Sequence, residues 1–324
     1  MKDSKPLVSV VTLCYKKFDK LYETIRSVLN QKYENIEYII ADDNSDNFDV
    51  ESVRKFIEKN KHSNLKRVEI ICNEVNVGTV KNINNAYKKA NGKYIVNLSC
   101  NDVFFNKNVL NRIVDTFLQR NCDVLLTSRI VYKGNYEPIS FKPHYCERKY
   151  IEKKYYTAKS QNNAFIYDRL YDMASGSALA VSNKMISSYN YFNEEYILWE
   201  DGPFFYEYTK RYKMEFDYNI ISIWYQDGGV SASFIPISGL MKKDIDTFNK
   251  KLFDNKDKNA ECNNKRYSKY RFKRNKESTI CKKLLVCVTY PDYALGDFVY
   301  YIKREINKLK DKYYIKKYKN KTKK

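Results

Sequence analysis

The chain has 324 residues, of which 43% are hydrophobic, enough for a core in one large domain or in a domain with an appendage. Eight cysteines without a CxxC pair, only two histidines, and no visible transmembrane stretch or secretion leader argue against a disulfide scaffold, a histidine-rich zinc site and a membrane-spanning protein. We therefore expect a cytoplasmic protein, whose net charge of +20 favours an anionic partner.

Strand and helix patterns alternate along the first part of the chain. Leu7–Leu13 is rich in β-branched residues and continuously apolar, as expected for a strand covered on both faces. The other expected strands are 37–41, 68–72, 94–98 and 123–127, and the expected helices are 19–30 with Asp19 as its cap, 50–60, 79–90 and 108–120. This alternation predicts right-handed crossovers and a mainly parallel sheet, whose ligands bind at the carboxyl ends of the strands.

Polar turns follow the second and third predicted strands. Asp42 and Asp43, in IIADDNSD, are hydrogen-bond acceptors that suit a nucleotide base and ribose, although such residues also bond the backbone of their own turn. Gly78 opens the next helix, and Lys81 follows one turn in. Free N–H groups and a positive charge at a helix start suit an anion. The alternative is that this pattern only begins a helix and binds no ligand.

Two later segments contain candidate acids. Asp102, in NLSCNDV, is a single carboxylate, which holds Mg²⁺ only together with substrate phosphates and water, and capping of the next helix is the alternative. Glu200 and Asp201, in WED, either cap a helix or act as a general base, because a neighbouring acid and Trp199 raise the proton affinity of a carboxylate.

Taken in order, five segments resemble the family 2 glycosyltransferases, inverting enzymes that use nucleotide-activated sugars on a fold called GT-A. The segments are VSVVTLCYKK, SVLNQKYENIEYIIADDNSD, NVGTVKNINNAYKKANGKYIVNLSCND, SGSALAVSNKMI and WED, which together cover about residues 6–232. The resemblance implies an α/β GT-A domain over residues 1–235, with a mainly parallel central sheet flanked by helices. Residues 236–324 are then expected to form a basic, mainly helical C-terminal extension.

The resemblance also implies roles for individual residues. Those expected to contact the donor nucleotide are Thr12, Tyr15, Asp43, Lys81 and Asn101. Asp102 is the expected ligand of Mn²⁺ or Mg²⁺, although Ser99 and Asn101 stand where the family has further acids. Those expected at the reacting sugar are Asp201 as catalytic base, Glu200 as its acidic neighbour, and Ser175, Gly176 and Trp199 along the donor sugar and acceptor. Residues 227–231 resemble a loop that closes over the pyrophosphate.

The activity implied is that of a metal-dependent hexosyltransferase. It moves a sugar from a nucleotide-sugar, expected to be a UDP-sugar, to a hydroxyl of a glycan or lipid-linked glycan during synthesis of a bacterial surface polysaccharide such as a capsule. A polyprenyl-phosphate sugar transferase is one alternative. A non-catalytic nucleotide-sugar-binding protein is another, because of the acids missing at Ser99 and Asn101.

The charge is concentrated in the C-terminal part. Residues 241–324 contain 26 Lys and Arg against 10 Asp and Glu, a formal charge of +16 that leaves +4 for residues 1–240. Apolar residues between 284 and 302 are expected to let helices dock on the body and rest on an anionic membrane, at its inner face. A solvated helix surface explains the charge equally well. Nucleic acid is not expected, because the basic residues form no recognised binding motif.

Overall fold

The computed structural model describes residues 5–167, 175–227, 239–254, 266–267, 269–271, 273–274, 277 and 279–322. The strands are β1 (Val8–Cys14), β2 (Ile36–Asp42), β3 (Leu65–Cys72), β4 (Tyr94–Asn97), β5 (Val103–Phe104), β6 (Val124–Lys133), β7 (Glu137–Lys142), β8 (Leu179–Ser182) and β9 (Glu215–Gln226). The helices are α1 (Leu21–Leu29), α2 (Val50–Asn60), α3 (Thr79–Lys88), α4 (Val109–Arg120), α5 (Arg148–Lys154), α6 (Ala158–Tyr167), α7 (Asn183–Ser188), α8 (Asp201–Thr209), α9 (Gly239–Asp254), α10 (Ile280–Thr289) and α11 (Pro291–Thr322).

A single sheet runs through the body in the order β3–β2–β1–β4–β8–β6–β9–β5, with β7 paired to β6. β1 is parallel to both β2 and β4, and β2 is parallel to β3, as the alternating pattern predicted. β8 lies between β4 and β6 and is antiparallel to both, while β9 is parallel to β6. The sheet is therefore parallel around β1, and β6 lies one strand further out because β8 is inserted from later in the chain.

The parallel strands are apolar on both faces because helices cover both faces. Every residue of β2 is buried, and neighbouring residues of β1 point to opposite sides. Val10 packs in the core beneath α1, α2 and α4, whereas Val11 packs in the core beneath α3, α7 and α8. This confirms the prediction of strands covered on both faces.

The element bounds agree with the predicted ones for α2 and differ for α1 and β6. α2 begins and ends as predicted, with Asp49 as an N-cap that accepts a bond from the N–H of Ser52. Asp19 does not cap α1, which begins at Leu21 after Lys20 without a side-chain cap. β6 extends to Lys133 because it pairs with β7 and β9 beyond the predicted end at 127.

The C-terminal helices pack against the body. Leu252, Tyr267, Tyr270 and Tyr290 belong to the same apolar core as Val11. The predicted boundary at 235/236 and residues 228–231 of the late loop lie outside the described residues, so the division into two domains stays a prediction. Within the described part of the chain, no helix combines the length and apolar character needed to cross a bilayer.

Helix α11 carries its polar and apolar residues in an unusual arrangement. Its buried side includes Asp297, Asn307 and Asp311, each at most 6% exposed. Asp311 accepts bonds from the backbone N–H groups of Phe141 and Tyr145, each at 3.0 Å. The residues that point to solvent are largely apolar, namely Leu295, Phe298, Val299, Ile302, Ile306, Leu309 and Tyr313.

Candidate active site

The carboxyl ends of β1, β2 and β4 meet at one edge of the sheet. Backbone hydrogen bonds continue past the strands, from the N–H of Cys100 to the carbonyl of Leu13 at 3.1 Å and from the N–H of Asp43 to the carbonyl of Cys14 at 3.0 Å. The polar turns that follow these strands therefore lie side by side, as expected for ligand-binding turns of a parallel sheet.

Asp43 holds the turn before α3. One oxygen of its carboxylate accepts from the N–H of Val77 at 2.9 Å, and the other from the N–H of Gly78 at 2.9 Å. Gly78 has a φ of +85°, and a Cβ there would lie 2.8 Å from the carbonyl oxygen of Ile197. Asp43 thus fixes the start of α3; Oδ1 also accepts from the side-chain amide of Asn73 at 3.0 Å, so one lone pair, on Oδ2, is left for a ligand.

Asp102 is buried with one free oxygen. Its Oδ1 accepts from the backbone N–H of Gln226 at 2.8 Å, whereas Oδ2 has no partner among the described residues. Burial raises the pKa of Asp102 to about 8, although the Gln226 bond and the charge of Arg129 act in the opposite direction. A buried carboxylate oxygen without a partner is unfavourable, so this atom is a candidate cation ligand.

Glu200 and Asp201 meet Gly176 at the start of α8. The Asp201 Oδ2 accepts from the N–H of Gly176 at 2.6 Å, and Oδ1 accepts from the N–H of Gly202 at 2.7 Å. A Cβ on Gly176 would lie 2.5 Å from Oε1 of Glu200, so any other residue there would displace that carboxyl group. Burial raises the pKa of Glu200 to about 8, and it raises the pKa of Asp201 as well.

The turn at Gly176 is fixed to the end of β4. The side-chain amide of Asn97 donates to the carbonyl of Gly176 at 3.0 Å, and its oxygen accepts from the Tyr87 hydroxyl at 2.7 Å. This chain of hydrogen bonds connects α3, β4 and the residue that holds Asp201. The end of β4, which precedes Asp102 in the chain, is thus connected by hydrogen bonds to the turn that holds Asp201.

The backbone before Glu200 is held by a residue from α9. The carboxylate of Asp244, 2% exposed, accepts from the N–H groups of Ile197, Leu198 and Trp199 at 2.7–3.1 Å. The ring of Phe248 packs edge-on against Trp199, with centroids 5.2 Å apart. The segment that carries both acids is thus anchored by a helix more than forty positions later in the chain.

Arg129 on β6 acts electrostatically on both acidic positions. Its guanidinium donates to the hydroxyls of Ser175 and Ser177 and lies 4.4 Å from the ring centroid of Tyr225. The positive charge lowers the pKa of both Asp102 and Asp201, against the larger effect of burial. Its Nε has no hydrogen-bond partner among the described residues.

The other predicted residues occupy different environments. Thr12 is fully buried, with its hydroxyl 3.1 Å from that of Tyr38, whereas Tyr15 is 45% exposed beyond β1. The side chain of Asn101 accepts from the N–H of Lys20 at 2.9 Å, so it is already used by the loop before α1. Lys81 is exposed in the first turn of α3. Their proposed contacts with a donor stay predictions.

Sequence reasoning did not identify Arg129 or Asp244. Arg129 interrupts the apolar run VLLTSRIVY, and a lone charge inside a buried strand was a usable signal. Asp244 gave no such signal, because it lies in an ordinary Lys- and Asp-containing helical stretch whose partner is far away in sequence.

The chain is similar to known glycosyltransferases. The family model described as Glycosyl transferase family 2 matches residues 9–178. An uncharacterized glycosyltransferase of Haemophilus influenzae is 26% identical over 64% of this chain and 58% of its own length. Two further relatives are the putative teichuronic acid biosynthesis glycosyltransferase TuaG of Bacillus subtilis (30% over 38% and 46%) and the E. coli UDP-Glc:alpha-D-GlcNAc-diphosphoundecaprenol beta-1,3-glucosyltransferase WfaP (37% over 33% and 40%). The matches thus span about half of these relatives' length.

Solved structures share the fold. S. aureus TarS residues 1–349 in complex with UDP-GlcNAc superimposes with a TM-score of 0.56 at 18% identity, over 83% of this chain and 71% of that one. The mannosyltransferase PcManGT from Pyrobaculum calidifontis, in complex with GDP-Man and Mn²⁺, gives 0.56 at 13% identity, over 95% and 86%. These likenesses confirm the predicted α/β GT-A fold.

Proposed function

Because the chain belongs to glycosyl transferase family 2, we propose that it is an inverting enzyme that transfers a sugar from a nucleotide-sugar, a UDP-sugar by preference, to a hydroxyl of a glycan or lipid-linked glycan. The observation that carries the proposal is the presence of a half-buried carboxylate, Asp201, and a buried one, Asp102, both close enough to Arg129 for its charge to lower their pKa. The names of TuaG and WfaP support surface polysaccharide synthesis as the setting, and TarS supports a UDP-sugar.

In the proposed reaction Asp201 is the general base. Its carboxylate accepts the proton of the acceptor hydroxyl while that oxygen forms a bond to the anomeric carbon, and the bond from that carbon to the nucleoside diphosphate breaks. The N–H groups of Gly176 and Gly202 hold the carboxylate in one orientation. Nucleophile and leaving group lie on opposite faces of the sugar, so the anomeric configuration inverts.

A divalent cation fits beside Asp102. Its unpartnered Oδ2 is one carboxylate ligand, and oxygens of the donor diphosphate and water would complete the shell of Mn²⁺ or Mg²⁺. No cluster of three or more His, Cys, Asp or Glu suited to a metal occurs among the described residues, so the site depends on the donor. When bound, the cation neutralises negative charge on the leaving diphosphate. We propose that Lys81 contacts the same diphosphate and supplies a second positive charge, from the protein itself.

The test is a thermal-shift screen of UDP-, GDP-, CMP- and dTDP-sugars with Mn²⁺, because a ligand of the native state raises its stability with occupancy. A UDP-sugar is expected to give the largest shift. The selected donor is then incubated with lipid-linked glycan acceptors, and proton NMR of the product reports the anomeric configuration. Retention of configuration, or the absence of both donor binding and transfer in the whole screen, would rule out the proposed activity.

We also propose a peripheral contact with the inner face of an anionic membrane, made by the outward apolar stripe of α11. The stripe runs from Leu295 to Tyr313, about 27 Å along the helix axis. α11 buries Asp297, Asn307 and Asp311 against the body, whereas the residues of the stripe are between 46% and 65% exposed. Lysines flank the stripe, with Lys303, Lys310 and Lys312 exposed, which complements anionic lipid.

Vesicle sedimentation tests this contact. Leu295→Ser with Phe298→Ser is expected to lower binding to phosphatidylglycerol vesicles at least tenfold, whereas Leu118→Ser, an equally exposed leucine on α4, leaves it unchanged. Lys310→Gln with Lys312→Gln is expected to weaken binding more than Lys55→Gln with Lys59→Gln on α2. Equal binding to phosphatidylcholine vesicles, or lipid-free dimers that the serine variants abolish, would contradict a lipid-facing stripe.

A further inference from the structure

The turn that holds the proposed base is itself held by Arg129. This turn, Ser175–Gly176–Ser177, bonds Asp201 only through the N–H of its middle residue, Gly176, at 2.6 Å. The outer residues, Ser175 and Ser177, both accept hydrogen bonds from the same nitrogen of Arg129. The orientation of Asp201 therefore depends on a guanidinium that does not touch it.

A second contact connects Arg129 to the other acid. The guanidinium lies over the ring of Tyr225 at 4.4 Å, and the next residue, Gln226, donates its backbone N–H to Asp102 at 2.8 Å. Arg129 is only 8% exposed, so both contacts are made away from solvent, where hydrogen bonds to a charged group are strong.

We propose that Arg129 is the positioning residue of the active site, which fixes the base Asp201 through the Ser175–Ser177 turn and the strand end that holds Asp102 through Tyr225. The inference rests on the proposed role of Asp201 as base. Lysine is a poor substitute, because its ammonium group could bond the two hydroxyls but lacks the planar guanidinium face that stacks on the ring of Tyr225 at the same time.

Kinetics with the donor identified by the screen give the first test. Arg129→Met and Arg129→Lys are expected to lower kcat at least tenfold with the donor KM within about twofold, because positioning affects the reaction more than donor binding. Ser177→Ala, which removes one of the two hydroxyls and leaves the buried charge in place, is expected to lower kcat less and to retain the melting temperature. Lys133→Met, which removes an exposed charge from the same strand, is the control and is expected to retain kcat.

A second readout does not require turnover. The chain has two tryptophans, and Trp199 hydrogen-bonds to Asp201, so Trp224→Phe leaves a single reporter of that carboxyl. In this background the pH midpoint of Trp199 fluorescence reports the titration of Glu200 and Asp201 as a coupled pair. The charge of Arg129 acts on Asp201 in that pair. Arg129→Met is expected to raise the midpoint by about one pH unit, because an opposite charge is lost, whereas Arg129→Lys and Lys133→Met leave it nearly unchanged.

The outcomes separate the two proposals. If the parent protein transfers no sugar, the proposed function fails, and the fluorescence midpoint still tests the link between Arg129 and Asp201. A midpoint unaffected by Arg129→Met, or unchanged kcat in that variant, overturns the positioning role. A tenfold increase in donor KM or in the Kd of UDP at unchanged kcat also overturns it, because Arg129 would then be a donor ligand.

Discussion

Asp201 is the residue on which the proposed chemistry depends most directly. Asp201→Asn keeps the size of the side chain but removes the carboxylate that accepts the proton, so we expect transfer to fall by ~10² to 10⁴. Binding of UDP with Mn²⁺, measured by calorimetry, is expected to stay near wild type. A variant with wild-type turnover would show that another group is the base. Asp46→Asn, in the exposed turn after β2, provides a matched control.

Glu200 makes the stability of the protein depend on pH. Burial raises its pKa to about 8, against roughly 4.3 in an unfolded chain, so between these values the folded state binds the proton and the unfolded state does not. The neutral carboxyl therefore makes its full contribution to the free energy of unfolding below about pH 4, and this contribution is lost as the pH rises towards 8.

We accordingly expect Glu200→Gln to reduce the fall in melting temperature between pH 5 and pH 8, because glutamine stays neutral throughout. Differential scanning fluorimetry in the presence of EDTA measures the difference. Glu34→Gln, at an exposed position, is expected to follow the wild-type curve. If the melting temperature of the Glu200→Gln variant falls as much as that of the wild type between pH 5 and pH 8, the carboxyl of Glu200 is ionised in the folded protein at neutral pH.

Gly176 leaves little space for a larger residue beside the two carboxyl groups. An alanine methyl group would lie 2.5 Å from Oε1 of Glu200 and 3.3 Å from Oδ2 of Asp201, so both carboxyl groups must move. We expect Gly176→Ala to reduce turnover at least tenfold while the fold persists, since the displaced atoms end side chains. Gly239→Ala, which meets no atom within 4 Å, is the matched control for steady-state kinetics and thermal unfolding. Full activity of Gly176→Ala would contradict the observed packing.

At the scale of elements, the clearest prediction concerns α9. Asp244 satisfies three backbone N–H groups just before Glu200, and hydrogen bonds to a charged group contribute about 1.5–3 kcal/mol. Asp244→Ala is therefore expected to lower the free energy of unfolding by about 2 kcal/mol or more and to reduce kcat as the base segment loosens. Urea unfolding measures the first effect and initial rates the second.

The control for this prediction is Asp246→Asn on the same helix, whose carboxylate does not bond the segment 197–199. If Asp244→Ala unfolds like wild type and reacts at the same rate, α9 does not support the catalytic segment. If both variants lose activity equally, the effect belongs to the charge of the helix and not to the three N–H bonds.

Elements with a strong local pattern were predictable, and those fixed by distant contacts were not. The strands β1, β2 and β4 and the helix α2 follow from apolar periodicity and a capping aspartate, which are properties of neighbouring residues. The insertion of β8 between β4 and β6 depends on pairings more than 80 residues apart in sequence with β4 and more than 50 apart with β6, and it has no local signal.

The same distinction applies within the site. Asp102, Gly176 and Asp201 were predicted from a family resemblance, and the structure brings the turns that contain them together. Arg129 bonds the hydroxyls of Ser175 and Ser177, and Asp244 bonds the backbone of residues 197–199, in each case between 40 and 50 positions away in the chain. A contact of this kind leaves no pattern in a single sequence.

At the scale of the whole molecule, most of the positive charge and the exposed apolar stripe of α11 lie in the same C-terminal region. The last 84 residues carry a formal charge of +16, and they include α11 with its outward apolar stripe. We expect binding to anionic vesicles to weaken as NaCl rises from 50 to 500 mM, because salt screens exposed charges, yet to retain a residual part from the apolar contact. Sedimentation at both salt concentrations measures the two contributions. Salt-independent binding would exclude a role for the lysines.

The bonds from Asp244 to residues 197–199 limit how such an enzyme can be recombined. A hybrid that joins residues 1–235 to the C-terminal part of a relative lacks Asp244. The N–H groups of residues 197–199, next to the proposed base Asp201, then lose their acceptor unless the relative contributes an equivalent of α9. Natural exchange of C-terminal tails should therefore occur downstream of Asp254, and a library of grafts with junctions on each side of α9 would locate that limit.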